Sequence, residues 1–402
     1  MQYQRFDPAP FGFPRPRVPL LPAPSLESFS AFKQAAAVAL LDDPGAHFFS
    51  RGRYALAEAF RRCGIGPQST VLAPAYHCRS MLDPALRLGA EVALYPLKAD
   101  LHIDLDGLAK QAEQCSQPAT VLLVTHYFGF PQPMQDLLAW CKDKRITLIE
   151  DCSHCLFLPS VSGDLGQLGS YCVSSPYKFF PVEDGGILWT NGRARPTSAQ
   201  TRQTRQTGIA DELRGVVHAL KRGLSAHQTP SPAPARHAAD TSDANLPAQN
   251  TDRLEDSSGP SHQYTTSVEH HNALAISRWG MRHTKVRRLI AQRRSNYLEW
   301  VRCVAVLSHC RALHPVLPTA CVPYMFPLLI DKPQAHFMAL KRLGMPVWRW
   351  DDIAVSTCGV AARYRTQLLH LPCHQELTPA QMVWMTNTLT DVLQQQPHRE
   401  AA

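Results

Sequence analysis

Two side chains in this sequence have the types and the setting to do covalent chemistry together. Asp151 closes a β-branched and aliphatic run, Ile146 to Ile149, that stops at Glu150-Asp151. Such a run suits a buried parallel strand. A carboxylate at its end points into the crevice where open α/β sheets bind ligands. Lys178 follows in a turn-rich segment, among Tyr177, Phe179 and Phe180. An apolar setting disfavours the ammonium, and the free amine can form a Schiff base with a carbonyl. Pyridoxal phosphate (PLP) needs both groups: an amine for its aldehyde and an acid that keeps its ring nitrogen protonated. Taken singly, an Asp after a strand is more often a helix cap, and a Lys a surface charge.

The stretch from Ile146 to Asn191 also carries Glu150-Asp151-Cys152-Ser153-His154, Gly163-Asp164, Gly166 to Gly169, Ser174-Ser175-Pro176-Tyr177-Lys178 and Asp184-Gly185-Gly186. In this order the motifs resemble the DegT/DnrJ/EryC1/StrS family of fold-type I, PLP-dependent aminotransferases, many of which act on keto-sugar nucleotides. The resemblance implies that Asp151 pairs with the pyridine nitrogen, that His154 lies against the cofactor and that Lys178 holds it. It further implies a homodimer with sites near the interface, glutamate as amino donor and a keto-sugar nucleotide as acceptor, in surface-polysaccharide or secondary-metabolite biosynthesis.

Four positions depart from the family pattern. Ser50-Arg51-Gly52-Arg53 precedes a helical pattern, where a Gly lets backbone N–H groups approach a phosphate. The family usually reads Gly-Thr or Gly-Ser there, so backbone donors of Gly52 and Arg53 are the expected ligands. The position of the ring-stacking aromatic, counted from Pro74 to Gly89, holds Cys78; Tyr76 or His77 would substitute, with His77 preferred because it can also hydrogen-bond. The phosphate-binding Ser, five residues before the Lys in many members, is replaced by Val173, which leaves Ser174 or Ser175, with Ser175 favoured. The Asn-x-Arg loop that crosses between subunits is not recognisable. Two alternatives follow: a PLP-dependent sugar dehydratase, although such enzymes carry His in place of Lys178, and a non-catalytic regulator that keeps the fold.

The elements that must position these residues alternate between strand and helix, as in an α/β fold. Strands are expected at Val71 to Ala75, Glu91 to Tyr95 and Ala119 to Thr125, and a helix from Met134 to Lys144. His126, at the end of the third strand, reads equally as a ligand contact or a structural residue. The fold class is α/β, a large mostly parallel-sheet domain with a smaller C-terminal α+β domain. Boundaries fall as a Pro-rich extended arm over 1–28, the large PLP-binding domain over 29–193, a low-complexity, mostly disordered insertion over 194–265 containing one helix from Ile209 to Leu224, and the small domain over 266–402. An amphipathic helix is expected from Leu26 to Leu41. In the small domain the expectations are a long basic helix from Ala273 to Arg302, strands at Val322 to Ile330 and Val347 to Trp350, and a final helix from Pro379 to Gln394. Trp348 and Trp350 suit either the substrate entrance or the core.

The 402 residues carry 45% hydrophobic and 18% charged side chains, the balance of a soluble globular chain with a sizeable core. The net charge of +8 has its densest cluster at Lys285 to Arg288 and Arg293-Arg294, read as a solvated helix face; no aromatic-rich motif accompanies it, so nucleic acid is not an expected partner. No apolar run approaches the roughly 20 residues that span a bilayer, and no signal peptide is evident, which points to the cytoplasm. The 12 Cys are scattered, and Cys152-x-x-Cys155 lacks the second pair of a zinc site, so buried thiols and no metal are expected.

Overall fold

The computed structural model describes residues 1–191, 204–226, 252–257 and 259–394. The chain enters through strand β1 (Gln2–Phe6), then supplies β2 (Ala46–Phe49), β3 (Thr70–Pro74), β4 (Glu91–Tyr95), β5 (Ala119–Thr125), β6 (Thr147–Asp151), β7 (Tyr171–Ser174) and β8 (Gly186–Thr190). Strands β2 to β8 form one seven-stranded sheet in the order β2-β8-β7-β6-β5-β3-β4. The five strands β7, β6, β5, β3 and β4 run parallel, and β8 pairs antiparallel with both β7 and β2. Val121 to Val124 are fully buried because helices cover the sheet on both faces. The fold is therefore the expected α/β class, with a large and mostly parallel sheet.

The C-terminal half builds on β9 (Asp252–Asp256), β10 (Cys310–Ala312), β11 (Met325–Ile330), β12 (Asp352–Ala354) and β13 (Leu368–Pro372). These form two three-stranded antiparallel sheets, β10-β11-β13 and β12-β1-β9. Helices Val286–Val304, Pro333–Arg342 and Pro379–Gln394 pack on the first, around Trp300, Phe326 and Leu389.

Several expectations are corrected. The extended arm begins with β1, the central strand of a sheet: Gln2 to Phe6 precede the first proline, and Tyr3 and Phe6 bury their rings. Part of the expected insertion is likewise ordered, since β9 pairs with β1 along its whole length and the helix runs Ile209–Ala226. The rest, at 194–203, 227–251 and 258, lies outside the described residues. The helix expected from Leu26 is a single turn, Leu26–Ser28, followed by a separate helix, Ala35–Leu41. The long basic helix is two, Ala275–His283 and Val286–Val304. Thr284 breaks it: its hydroxyl donates back to the Gly280 carbonyl and its backbone bridges to Phe29. Trp348 makes only an isolated bridge to His370, so no strand runs from Val347 to Trp350.

Candidate active site

Three neighbouring strand ends set the floor of one cleft. Register pairs Thr125 with Asp151 across β5 and β6, and Asp151 with Val173 across β6 and β7, and all three line the cleft. Gly52, Arg53, His154, Ser175 and Lys178 line the same cleft. The structure thus brings together six of the seven residues singled out for catalysis or cofactor contact.

The seventh, His77, lies elsewhere. Its Nδ1 faces the Cys78 carbonyl at 3.2 Å and its Nε2 accepts the Ala354 N–H at 3.1 Å. Burial pushes this imidazole down to about 4. Both ring nitrogens are spent on backbone, so His77 fastens the end of β3 to β12, and it is not among the residues that line the cleft. Cys78 itself lines the cleft, and so does Trp350, whose ring lies 5.3 Å from that of His154.

Asp151 is buried, and its carboxylate accepts the Ser153 N–H at 2.9 Å. Ser153 in turn accepts a hydrogen bond from the Ser175 hydroxyl at 3.1 Å. Lys178 closes a tight turn, Pro176–Lys178, started by a proline that pre-sets the backbone. Its ammonium nitrogen sits 5.3 Å from the centre of the Tyr324 ring. The same ring lies 4.4 Å from His154, so the Lys and the His share one aromatic wall. Burial, then the charges of Lys178 and His370, hold His154 well below the ordinary range, and its buried Nδ1 has no hydrogen-bond partner among the described residues. Such an atom is costly unless a ligand satisfies it.

The glycines explain how the wall opposite is so close. A Cβ on Gly52 would lie 2.2 Å from the Ser175 hydroxyl, and one on Gly186 would lie 2.2 Å from the Arg51 carbonyl. Only glycine lets the start of helix Gly52–Arg62 approach the Lys178 turn and β8 together. The first N–H groups of that helix have no acceptor within it, and its dipole favours an anion there. Arg51 stacks over Tyr177 at 4.8 Å and donates to the Glu183 carbonyl. These donors, two hydroxyls, a buried carboxylate, an orphaned imidazole nitrogen and a half-buried amine form a set whose chemistry fits PLP, which calls for phosphate donors, an acid for its ring nitrogen and an amine for its aldehyde.

Sequence reasoning missed one positioning residue outright. Arg293, read as part of a solvated basic face, is fully buried and donates to the carbonyls of Lys178 at 2.7 Å, Tyr324 at 3.0 Å and Pro323 at 3.1 Å. Burial lowers it to about 10. It ties the Lys178 turn to the C-terminal half. The only sequence signal was its helical spacing from buried Leu289, Asn296 and Trp300. His126 proves structural: Nδ1 accepts the Gln132 N–H and Nε2 faces Glu150 at 3.0 Å. Cys152, which lies near that pair, and Cys155 are buried, and burial pushes both thiols far up. Asp184 accepts the Leu274 N–H at 3.2 Å, away from the cleft, and burial raises it to about 6.

Solved structures share this architecture. An aminotransferase, TlmJ, from Streptoalloteichus hindustanus superposes with a TM-score of 0.60 at 18% identity, covering 89% of this chain and 88% of its own. NtdA from Bacillus subtilis, with bound cofactor PMP, gives 0.58 at 16% identity over 87% of this chain and 73% of its own. Helicobacter pylori PseC, an aminotransferase involved in the biosynthesis of pseudoaminic acid, gives 0.58 at 13% identity over 95% and 99%. At such identities the likeness concerns the fold. Residues 30–226, which hold the whole cleft floor, match the DegT/DnrJ/EryC1/StrS aminotransferase family. Over that stretch the chain belongs to the family, whose members are PLP-dependent aminotransferases.

Proposed function

We propose that the enzyme moves an amino group from glutamate to a keto-sugar nucleotide, with Lys178 and Asp151 as catalytic residues. The observation that carries the assignment is their convergence: the acid at the end of β6 and the amine after β7 line one cleft. When bound, PLP supplies an aldehyde that condenses with amines and a ring that accepts an electron pair. Lys178 Nζ would hold the cofactor between turnovers and, once freed, would take the proton from the donor carbon. The short turn and the Arg293 bond to the Lys178 carbonyl keep the amine on one side of the cleft. The Asp151 carboxylate keeps a proton on the ring nitrogen, in a buried site where that charge pair is strong. His154, held neutral, lines the cleft and would offer Nδ1 to the cofactor or to a substrate oxygen. Gly52 and Arg53 N–H groups and the Ser175 hydroxyl anchor the phosphate.

The acceptor class draws support from family membership and from relatives such as PseC. The reading includes a homodimer working in the cytoplasm; among the described residues no helix is long and apolar enough to cross a membrane. Incubation with glutamate and a panel of nucleotide-linked keto sugars, followed by product mass, tests the assignment. Replacement of the keto oxygen by an amino group supports it. Loss of water without nitrogen gain identifies a dehydratase and overturns it.

A further inference from the structure

Three aromatic side chains line the cleft: His154, Tyr177 and Trp350. Tyr177 carries a cation on its ring, the Arg51 guanidinium at 4.8 Å, and the Tyr324 ring behind His154 carries the Lys178 ammonium at 5.3 Å. Among the described residues no side-chain cation lies over the Trp350 indole. That indole is held between Tyr76 at 4.9 Å and His154 at 5.3 Å, with His370 set edge-on at 5.5 Å, and it is still 7% exposed. The segment carrying it is fixed without being a strand. Trp348 and His370 exchange both backbone hydrogen bonds, at 3.1 and 2.7 Å. The Asp351 carbonyl accepts the Phe6 N–H at 3.3 Å and the Arg365 guanidinium at 2.9 Å, while Arg349 pairs with the Asp351 carboxylate at 3.1 Å. An indole so held keeps its place before any ligand arrives.

We propose that Trp350 supplies the π surface for the cofactor ring, an indole–pyridinium contact made by the C-terminal half of the chain. A pyridine ring kept protonated by Asp151 is a planar cation, and Trp is the aromatic side chain that attracts a cation most strongly. Cys78, at the opposite end of the sequence from Trp350 and in the same cleft, offers no π surface. The two rings beside Cys78 in sequence are engaged elsewhere: His77 holds backbone, and the Tyr76 hydroxyl meets His370 Nε2 at 2.9 Å. The inference rests on the proposed seat of the ring opposite Asp151 and names the residue that meets it. It makes cofactor retention depend on both halves of the chain.

Two measurements on the full-length protein, neither of which needs turnover, test it. In protein labelled with 5-fluorotryptophan, the resonance of position 350 is the one lost in Trp350→Phe. PLP added to the otherwise unaltered apoprotein is expected to move that resonance furthest of the seven tryptophans, through the ring current of the cofactor. In titrations followed by absorbance, Trp350→Leu is expected to bind PLP about fivefold more weakly, and Trp350→Phe, which keeps a ring, to fall between Leu and the wild type. The Leu effect is expected to shrink to about twofold or less when Asp151→Asn has removed the charge that keeps the ring cationic. An unmoved resonance overturns the contact, as does a Leu variant with wild-type affinity or a fivefold loss that persists beside Asp151→Asn; each leaves the Lys178 and Asp151 assignment standing. An apoprotein that takes up no PLP overturns the contact and the proposed function together.

Discussion

Glu150 and Asp151 are consecutive acids on one strand, and the pleat of β6 sends them to opposite faces of the sheet. The face that Glu150 meets is finished. Its two oxygens accept the N–H groups of Gly166, Leu168 and Gly169 at 2.6 to 3.0 Å, and His126 Nε2 at 3.0 Å. Four donors fill the carboxylate, and nothing is left for a ligand. The face that Asp151 meets is unfinished: one backbone N–H, then the cleft. Chemistry here follows from what a carboxylate is left without. A saturated acid builds the scaffold that aims its unsaturated neighbour.

Substitutions on the two faces should therefore fail differently. The largest expected effect is that of Asp151→Asn. It keeps the shape and should keep stability, but removes the charge proposed to hold a proton on the ring nitrogen; kcat should fall by about 10² to 10³. A fall under tenfold in steady-state kinetics would place the acid role elsewhere. Glu150→Gln should do the reverse: stability drops by roughly 3 kcal/mol, because an amide NH₂ meets N–H donors in a buried site, while enzyme that remains folded keeps its kcat. Denaturant midpoints measure this. The pH dependence has a definite sign. Burial works to raise Glu150, but the His126 hydrogen bond and charge and the Gly169 and Leu168 N–H groups outweigh it, leaving the carboxyl below its ordinary 4.5. That share of stability is present above about 4.5 and is lost as pH falls through the lower folded value. Glu150→Gln should flatten that acid limb. The smallest effect is expected from Gly52→Ala on the cleft wall. The new methyl displaces the Ser175 hydroxyl and should weaken PLP binding about tenfold, the worth of one charged hydrogen bond. Titration of the apoprotein measures it.

The sheet was legible in the sequence wherever one residue's environment repeated along an element. The uninterrupted aliphatic run of β5 and the acids ending β6 are of that kind, because a strand buried on both faces excludes polar groups until its end. The cleft floor was legible for the same reason, as Asp151, Ser175 and Lys178 sit at the ends of consecutive elements. What escaped depends on packing between distant segments. Gln2 to Phe6 carry no long apolar run, and their strand forms only because β9 and β12 arrive on either side. His77 looked suited to stacking until Ala354, far along the chain, supplied the N–H that turns it away. Arg293 has the residue type of a surface charge and the surroundings of a core residue, since the carbonyls of Lys178, Phe179, Pro323 and Tyr324 converge on it.

Lys178, and no other amine, is proposed to hold the cofactor opposite Asp151. Borohydride reduction of the PLP-loaded protein, followed by digestion and peptide mass, tests it most directly. The expected result is loss of the visible absorbance and one added pyridoxyl mass on the peptide bearing Lys178, absent in Lys178→Ala. Label on another lysine, or an unchanged visible band in Lys178→Ala, contradicts the account.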